Sequence, residues 1–321
     1  MQHLLILNAR RRVFFVNALK RYFLKEGLPV GIASTDTDTL DPIKHFVDRF
    51  TVLPPITDKT FSDFLCSFIE KADIRGLMVW YDADFPHIAA IRKRIEQLGV
   101  SVLLPSFETI NICNDKRSTD TFMRKHGILV PEFFADIDEV LQKGSLPYPL
   151  IVKPYDGAGS MHVYKVKNTD ELKVIRNWVP NPIAQKYIEG VHYTVDVFND
   201  LAGKPISVVP RTRIKVRDSE SLISKIEMKS NIIEIASKVA SLLGEPGPMN
   251  VQLIEDENGN AYVIEVNARI GGGTDLTIQA GAPFHIWTAQ LLLGMPINPE
   301  HTVQDGLIMT RYYESIFTNE V

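Results

Sequence analysis

Two hydrophobic rhythms alternate along the first part of the chain. Short apolar runs at residues 3–9, 29–35, 76–81 and 100–105 have the length of strands. Between them, residues 12–27, 61–74 and 87–99 carry apolar positions at helical spacing, and the first and last of these stop at a glycine. Strands alternating with helices of this length predict βαβ units and a parallel sheet. Beyond about residue 111 the rhythm changes. Residues 116–127 read as a basic helix, 148–166 as two strands around a glycine-containing turn, and 169–179 as a short helix capped by Thr169. Residues 183–200 and 204–216 alternate like antiparallel strands, and 230–244 form an amphipathic helix. Residues 250–273 form a hairpin turning at Asn258-Gly259, a strong short-range turn signal. No internal repeat or low-complexity linker separates these parts.

Composition narrows the class. The chain has 321 residues, 45% hydrophobic and 23% charged, enough to bury a real core in one large or two smaller domains. A net charge of −4 gives no bulk electrostatic case for nucleic acid or anionic lipid. The apolar run at the N-terminus is too short for a membrane span and lacks a signal-peptide layout. Cys66 and Cys113 have neither metal-ligand nor redox spacing, so packed thiols in a reducing cytoplasm are expected. Trp80, Trp178 and Trp287 read as core or edge packing.

The hairpin poses the chemical question, because it places polar side chains on strands that could be apolar. Asn250, Gln252 and Ile254 share one face of its first strand; Glu265, Asn267 and Arg269 share one face of the second. Val263, Ile264 and Val266 are expected to supply apolar packing. Glu265, Asn267 and Gln252 offer hard oxygens, which suit Mg²⁺ held together with water and substrate phosphates. Arg269 then points where it could neutralise a transferring phosphoryl group. The competing reading is a solvated face of an amphipathic hairpin. The run Gly271, Gly272 and Gly273 favours a ligand, since it lets backbone approach closely.

Lys153, at a strand end before a glycine turn, offers a point charge to a polyphosphate, and the backbone of residues 157–160 offers N–H donors. This is not a Walker arrangement, since the lysine precedes the loop. A Gly-x-Gly-x-x-Gly fingerprint is missing after the first strand, where Asn8-Ala9-Arg10-Arg11-Arg12 stands instead, so an ordinary dinucleotide site is not expected. Arg211 and Arg213 share a strand face and could grip a carboxylate, or simply be a solvated basic face. Asp82 and Asp84 lie at the end of a parallel strand, where they could recognise an amine or cap the following helix.

Taken in this order and spacing, the segments resemble an ATP-grasp enzyme. They are most similar to the branch containing carbamoyl-phosphate synthetase large subunits and biotin carboxylases. The resemblance covers nearly the full chain, and its most specific part is residues 249–273, similar to the metal-site hairpin of that family. It implies an α/β and α+β architecture: a Rossmann-like pre-ATP-grasp domain at 1–110, then an ATP-grasp fold at 111–321 with a mobile lid at about 117–184. It also implies roles. Glu265 and Asn267 would bind Mg²⁺ (or Mn²⁺), with Gln252 as further ligand or phosphate contact, and Arg269 would stabilise the transferring γ-phosphoryl group. Lys116 and Lys153 would reach the nucleotide phosphates, and Asp156, Gly157, Gly159 and Ser160 would belong to the loop that folds over them. Lys186 and Ile188 would meet adenine through backbone groups, with Tyr187 packing between them and Gln185 and His192 near adenine or ribose. Arg211, Arg213 and the three glycines would lie near the acyl-phosphate site. Acidic residues usual in the family are replaced by Gln185 and His192, and the loop is less glycine-rich than in many relatives.

The activity so implied is ATP-dependent carboxylate–amine ligation through an acyl phosphate, releasing ADP and phosphate. The partners would be ATP and small carboxylate and amine substrates, with no nucleic acid and no membrane; homodimers are frequent in such a family. Two rivals remain at this stage. One is carboxyphosphate-type synthesis from bicarbonate, which would need partners because no second synthetase half or biotin- or glutamine-handling module is visible. The other is a nucleotide-binding regulatory protein without chemistry.

Overall fold

A computed structural model describes residues 1–143, 146–157, 159, 161–217 and 220–319. The first unit runs β1 (Gln2–Leu7), α1 (Val13–Lys25), β2 (Val30–Asp36), β3 (Arg49–Val52), α2 (Phe61–Lys71), β4 (Ile74–Val79), α3 (Phe85–Gln97) and β5 (Ser101–Leu103). All pairings in this sheet are parallel, in the order β3-β2-β1-β4-β5. Its strands are apolar on both faces because helices cover both. One face buries Leu5, Leu7, Leu77 and Val79 with α2 and α3; the other buries Leu4, Ile6 and Ile32 with α1.

Helices α4 (Phe107–Asn114) and α5 (Lys116–Lys125) lead into β6 (Phe133–Phe134), α6 (Ile137–Lys143), β7 (Leu150–Pro154), β8 (Tyr164–Val166), α7 (Thr169–Ile175) and β9 (Pro182–Lys186). These four strands form a small antiparallel sheet, β6-β9-β7-β8, with Leu150, Val152 and Ala184 turned onto α6 and α7. Met123 of α5 packs instead with the larger sheet that follows. That sheet is built from β10 (Val191–Asn199), β11 (Pro205–Arg217), β12 (Glu220–Ile226), β13 (Gly247–Glu255), β14 (Ala261–Asn267) and β15 (Ile308–Thr310), ordered β14-β13-β10-β11-β12-β15. Between them run α8 (Ser230–Leu243), α9 (Thr274–Gln279) and α10 (Phe284–Leu293). Helix α8 buries Ile232, Ala236 and Val239 against Tyr193, Val195, Val197, Val251 and Leu253. Alternation then forces Thr194, Asp196, Asn250 and Gln252 onto the opposite face, away from α8.

Several local expectations are corrected. Residues 183–200 are not one strand: β9 belongs to the small sheet and β10 to the large one, and residues 187–190 carry the chain across. Gly190 is required there, because a Cβ would lie 1.9 Å from the Glu255 carbonyl oxygen. The cap of α7 is Asn168, whose side chain accepts the Glu171 N–H at 2.9 Å, rather than Thr169. Trp80 and Trp287 are buried, but Trp178 is 64% exposed. Cys66 is buried, and burial pushes the Cys113 thiol up, so both behave as packed thiols. Among the described residues, no helix is long and apolar enough to cross a membrane.

Candidate active site

The polar face of the large sheet and the face of the small sheet opposite α6 and α7 enclose a cleft of about 920 Å³, counting its open mouth. Lys153 and Ile151 enter it from β7, and Gln185 and Lys186 from β9. Opposite them stand Gln252 and Ile254 of β13, Ile264 and Glu265 of β14, Arg213 of β11 and His192 of β10. The bridging residues Tyr187 and Ile188 close one side, and Lys116, Gly157, Gly159 and Met161 another.

Pairing between β13 and β14 explains the convergence. Gln252 faces Glu265 directly, and Asn250 faces Asn267. A bulge follows: Leu253 pairs with Val263, which leaves Ile264 as the extra residue. Ile264 therefore turns into the cleft, where an apolar wall was not expected, instead of joining Val263 and Val266 in the core. Pro131, Met161 and Val163 complete an apolar lining that charge-seeking sequence reasoning missed.

Cations enter the cleft from both sheets and from α5. The Lys116 ammonium donates to the Gly157 carbonyl at 2.5 Å, and its own N–H donates to Tyr155 O at 2.9 Å, so the start of α5 is tied to the loop. Burial, then the neighbouring Lys116, hold the Lys153 ammonium down at about 8. Burial and the nearby Arg211 lower Arg213, whose Nε donates to Ser221 Oγ at 3.3 Å. Partial burial and Arg213 lower His192. Desolvated cations kept close to one another create a strong demand for an anion.

Not every expected residue faces this cleft. Asp156 turns aside, accepting from Asn181 at 3.0 Å. The Lys186 N–H donates to Glu132 O at 2.8 Å, so that group is not available to a purine. The Tyr187 ring has the Lys165 ammonium 3.4 Å from its centroid. Ser160 lies outside the described residues. The paired Arg211–Arg213 grip does not form. The Arg211 fork is spent on Asp196, at 2.9 and 3.4 Å, and Thr277 and Thr274 complete that carboxylate at 2.6 and 3.1 Å. The pair is almost fully buried, and a Cβ on Gly273 would lie 2.4 Å from the Arg211 guanidinium. Gly271 and Gly273 thus pack on a structural ion pair, while Gly272 lies against Arg12 and its carbonyl accepts from Arg311 Nη2.

Arg269 stands just beyond Glu265, at the seam with the first unit. Its Nε donates to Asp82 Oδ2, its Nη1 to Ile270 O at 3.2 Å and its Nη2 to Asn267 Oδ1 at 3.4 Å. Asn267 in turn donates to Asn250 Oδ1 at 3.2 Å. Asp82 is therefore neither a helix cap nor exposed, and Asp84 accepts from Asn8 at 2.8 Å rather than capping α3. Sequence could not pair residues 82 and 269, which lie far apart along the chain.

Among the described residues, no group of three His, Cys, Asp or Glu side chains could hold a metal. One carboxylate and two amide oxygens suit a hard cation that brings phosphate and water ligands with it, and suit an all-protein cage poorly.

The comparisons with known proteins agree with this architecture. Residues 113–273 match the ATP-grasp domain family, and residues 4–103 match the PylC-like N-terminal domain family. A D-alanine–D-alanine ligase of Francisella tularensis subsp. novicida is 23% identical over 189 residues, 55% of this chain and 64% of that protein. The chain thus spans under two thirds of the length of that relative. A D-alanine–D-alanine ligase of Bacillus anthracis is 25% identical over 226 residues, 63% and 72% of the two chains. The L-amino acid ligase of Bacillus licheniformis superposes with a TM-score of 0.70 at 23% identity, over 91% of this chain and 74% of that one. The biotin carboxylase of Campylobacter jejuni gives 0.74 at 17% identity, over 94% and 73%. These superpositions show a shared fold. With half of its length matching that family's domain, and a PylC-like unit in front, the chain belongs to the ATP-grasp family.

Proposed function

We propose that this protein is an ATP-dependent carboxylate–amine ligase acting on small molecules and releasing ADP and phosphate. The observation that carries the reading is the cleft itself, where Lys116 and Lys153 face Glu265 and Gln252 across a gap, with Arg213 on the same sheet as those two. Cations and hard oxygen ligands converging on one gap are what a Mg²⁺-polyphosphate requires. The apolar surfaces of Ile151, Met161, Ile188, Ile254 and Ile264 suit a purine between them.

The chemistry follows in two steps. A substrate carboxylate oxygen attacks the γ-phosphorus, and the bond to the β-phosphate oxygen breaks, giving an acyl phosphate and ADP. The amine, neutral once one proton has left it, attacks the acyl carbon through its lone pair, phosphate leaves with the bonding pair, and the nitrogen loses one further proton to leave an amide. A carboxylate alone would have to expel an oxide, so the first step exists to supply a better leaving group. Lys153 and Lys116 hold the phosphate oxygens. Arg269 turns to the transferring phosphoryl group, and Arg213 balances charge at the inner end of the cleft. Glu265, Gln252 and Asn267 would hold Mg²⁺ or Mn²⁺, which when bound neutralises charge on the phosphates. The small sheet, with residues 117–184, serves as a lid that excludes water from the acyl phosphate, and the pre-ATP-grasp unit ends near residue 110.

Glu265→Gln tests the metal assignment. It should lower Mg²⁺-dependent ATP turnover by about 100-fold or more, as expected for loss of a charged contact at the transferring group, with an unchanged melting temperature. Wild-type turnover in that variant would overturn the assignment.

A further inference from the structure

The five-stranded sheet reverses its strand order between β1 and β4, and sheets of this kind take ligands beyond the carboxyl ends of such strands. Beyond β1 lie Asn8 and Arg10, two non-glycine residues at positive φ, 53° and 46°. Such backbone persists only where the surroundings hold it. Beyond β4 lie residues 80–84. Asn8 donates to Asp84, the Arg10 guanidinium sits 5.1 Å from the centre of the Tyr81 ring, and Asp82 reaches across the seam to Arg269.

Asp82 is the unusual member. Its Oδ2 holds Arg269, while its Oδ1 is shut off from solvent and finds no hydrogen-bond partner among the described residues. A buried carboxylate oxygen left idle carries a desolvation cost that the ion pair does not remove. Burial pushes the Asp82 carboxyl up even with Arg269 beside it, and the nearby Glu265 pushes the same way. Arg269 also has a second claim on it, since the ligase reading sends it to the phosphoryl group. When it turns, Asp82 would be left as a buried charge with no counter-ion, which is strongly unfavourable. The reaction supplies one replacement of the right charge and donor capacity, the amino group of the acceptor.

We propose that Asp82 is the docking group for the acceptor amine, exchanging Arg269 for the substrate's primary amino group as Arg269 moves to the phosphoryl group. The carboxyl ends of β1 and β4, residues 8–12 and 80–84, then form the amine subsite, and the acceptor is a primary amine that docks as its ammonium, rather than bicarbonate or a neutral amide. This inference rests on the ligase reading. It makes amine capture follow nucleotide binding, because only then is Asp82 released.

The test compares wild type with Asp82→Asn, using Mg²⁺-ATP and a pool of the common L-amino acids, with and without hydroxylamine. Hydroxylamine is uncharged at neutral pH and traps acyl phosphates without an ammonium dock, so hydroxamates report the first step and condensed products the second. The ratio of condensed product to hydroxamate should fall about 100-fold in Asp82→Asn, as for loss of one partner of a buried charge pair. If Asp82 merely holds Arg269 in place, both products fall together and the ratio stays constant, which overturns the inference. No hydroxamate from wild type defeats the ligase reading first, and the inference with it. A second measurement needs no variant. The productive amine should bind wild type about tenfold tighter with Mg²⁺ and a non-hydrolysable ATP analogue present, a coupling of ordinary size. Equal affinity with and without the analogue would also overturn it.

Discussion

Lys153 is a base held in the wrong charge state for an empty cleft and the right one for a filled one. Its ammonium is lowered to about 8 by burial and by Lys116. Between that value and the ordinary lysine range, the folded protein binds fewer protons than the unfolded chain. This group's contribution to stability therefore rises with pH through that window. A polyphosphate beside it favours the ammonium again. ATP binding at about pH 9 should take up close to one proton, and much less at about pH 7. Calorimetry in buffers of different ionisation enthalpy reads this directly, and no uptake at the higher pH would contradict the assignment of Lys153 to the phosphates. Arg211 behaves in the opposite way, as structure rather than site. Asp196→Ala would leave its guanidinium buried without a counter-ion, and should cost about 3–5 kcal/mol in chemical denaturation. A loss well under 1 kcal/mol would mean that the pair is not the support described. At this scale Glu265 and Gln252 were legible, because alternation puts each among the polar positions of its strand. The spending of Arg211 on Asp196 was not, since it needs the register between β10 and β11. Nor was Ile264, because nothing in the composition of β14 announces a bulge.

Among the elements, the crossing between β9 and β10 matters most. The apolar alternation of residues 183–200 reads as one strand, yet it serves two sheets, and two of the residues between them, Tyr187 and Ile188, line the cleft. Gly190 makes the crossing close-fitting, pressed against the Glu255 carbonyl at the end of β13. Gly190→Ala forces that backbone apart. It should destabilise the protein by about 1–3 kcal/mol, as overpacking does, and also weaken nucleotide binding through Tyr187 and Ile188. A melting curve and an ATP titration check both effects, and wild-type values in each would show that the crossing tolerates a methyl group. The helices and strands with strong periodicity were readable. The short β3, the helix α4 and the split of residues 183–200 were not, because brief elements carry too few positions to show a period, and a change of sheet leaves the period intact.

Across the whole molecule, the site is assembled from parts that the chain order keeps apart. Helix α10 returns to the first unit, packing Ala289 and Leu292 into the core under β1 and α1. Asp82 of that unit meets Arg269 at the seam. The alternation of strands and helices announced the parallel sheet, and the hairpin announced the second unit. Which loops of the first face the hairpin of the second depends on packing between units, which no local pattern encodes. The central claim is that this assembly joins an acid to an amine through an acyl phosphate. It is tested most directly by incubating the protein with Mg²⁺-ATP against amino acids, other small carboxylates and bicarbonate, following nucleotide products and new masses together. The account predicts ADP, phosphate and a condensed amide or peptide whose mass names both substrates. Formation of AMP and pyrophosphate, or of ADP with bicarbonate alone, would contradict it.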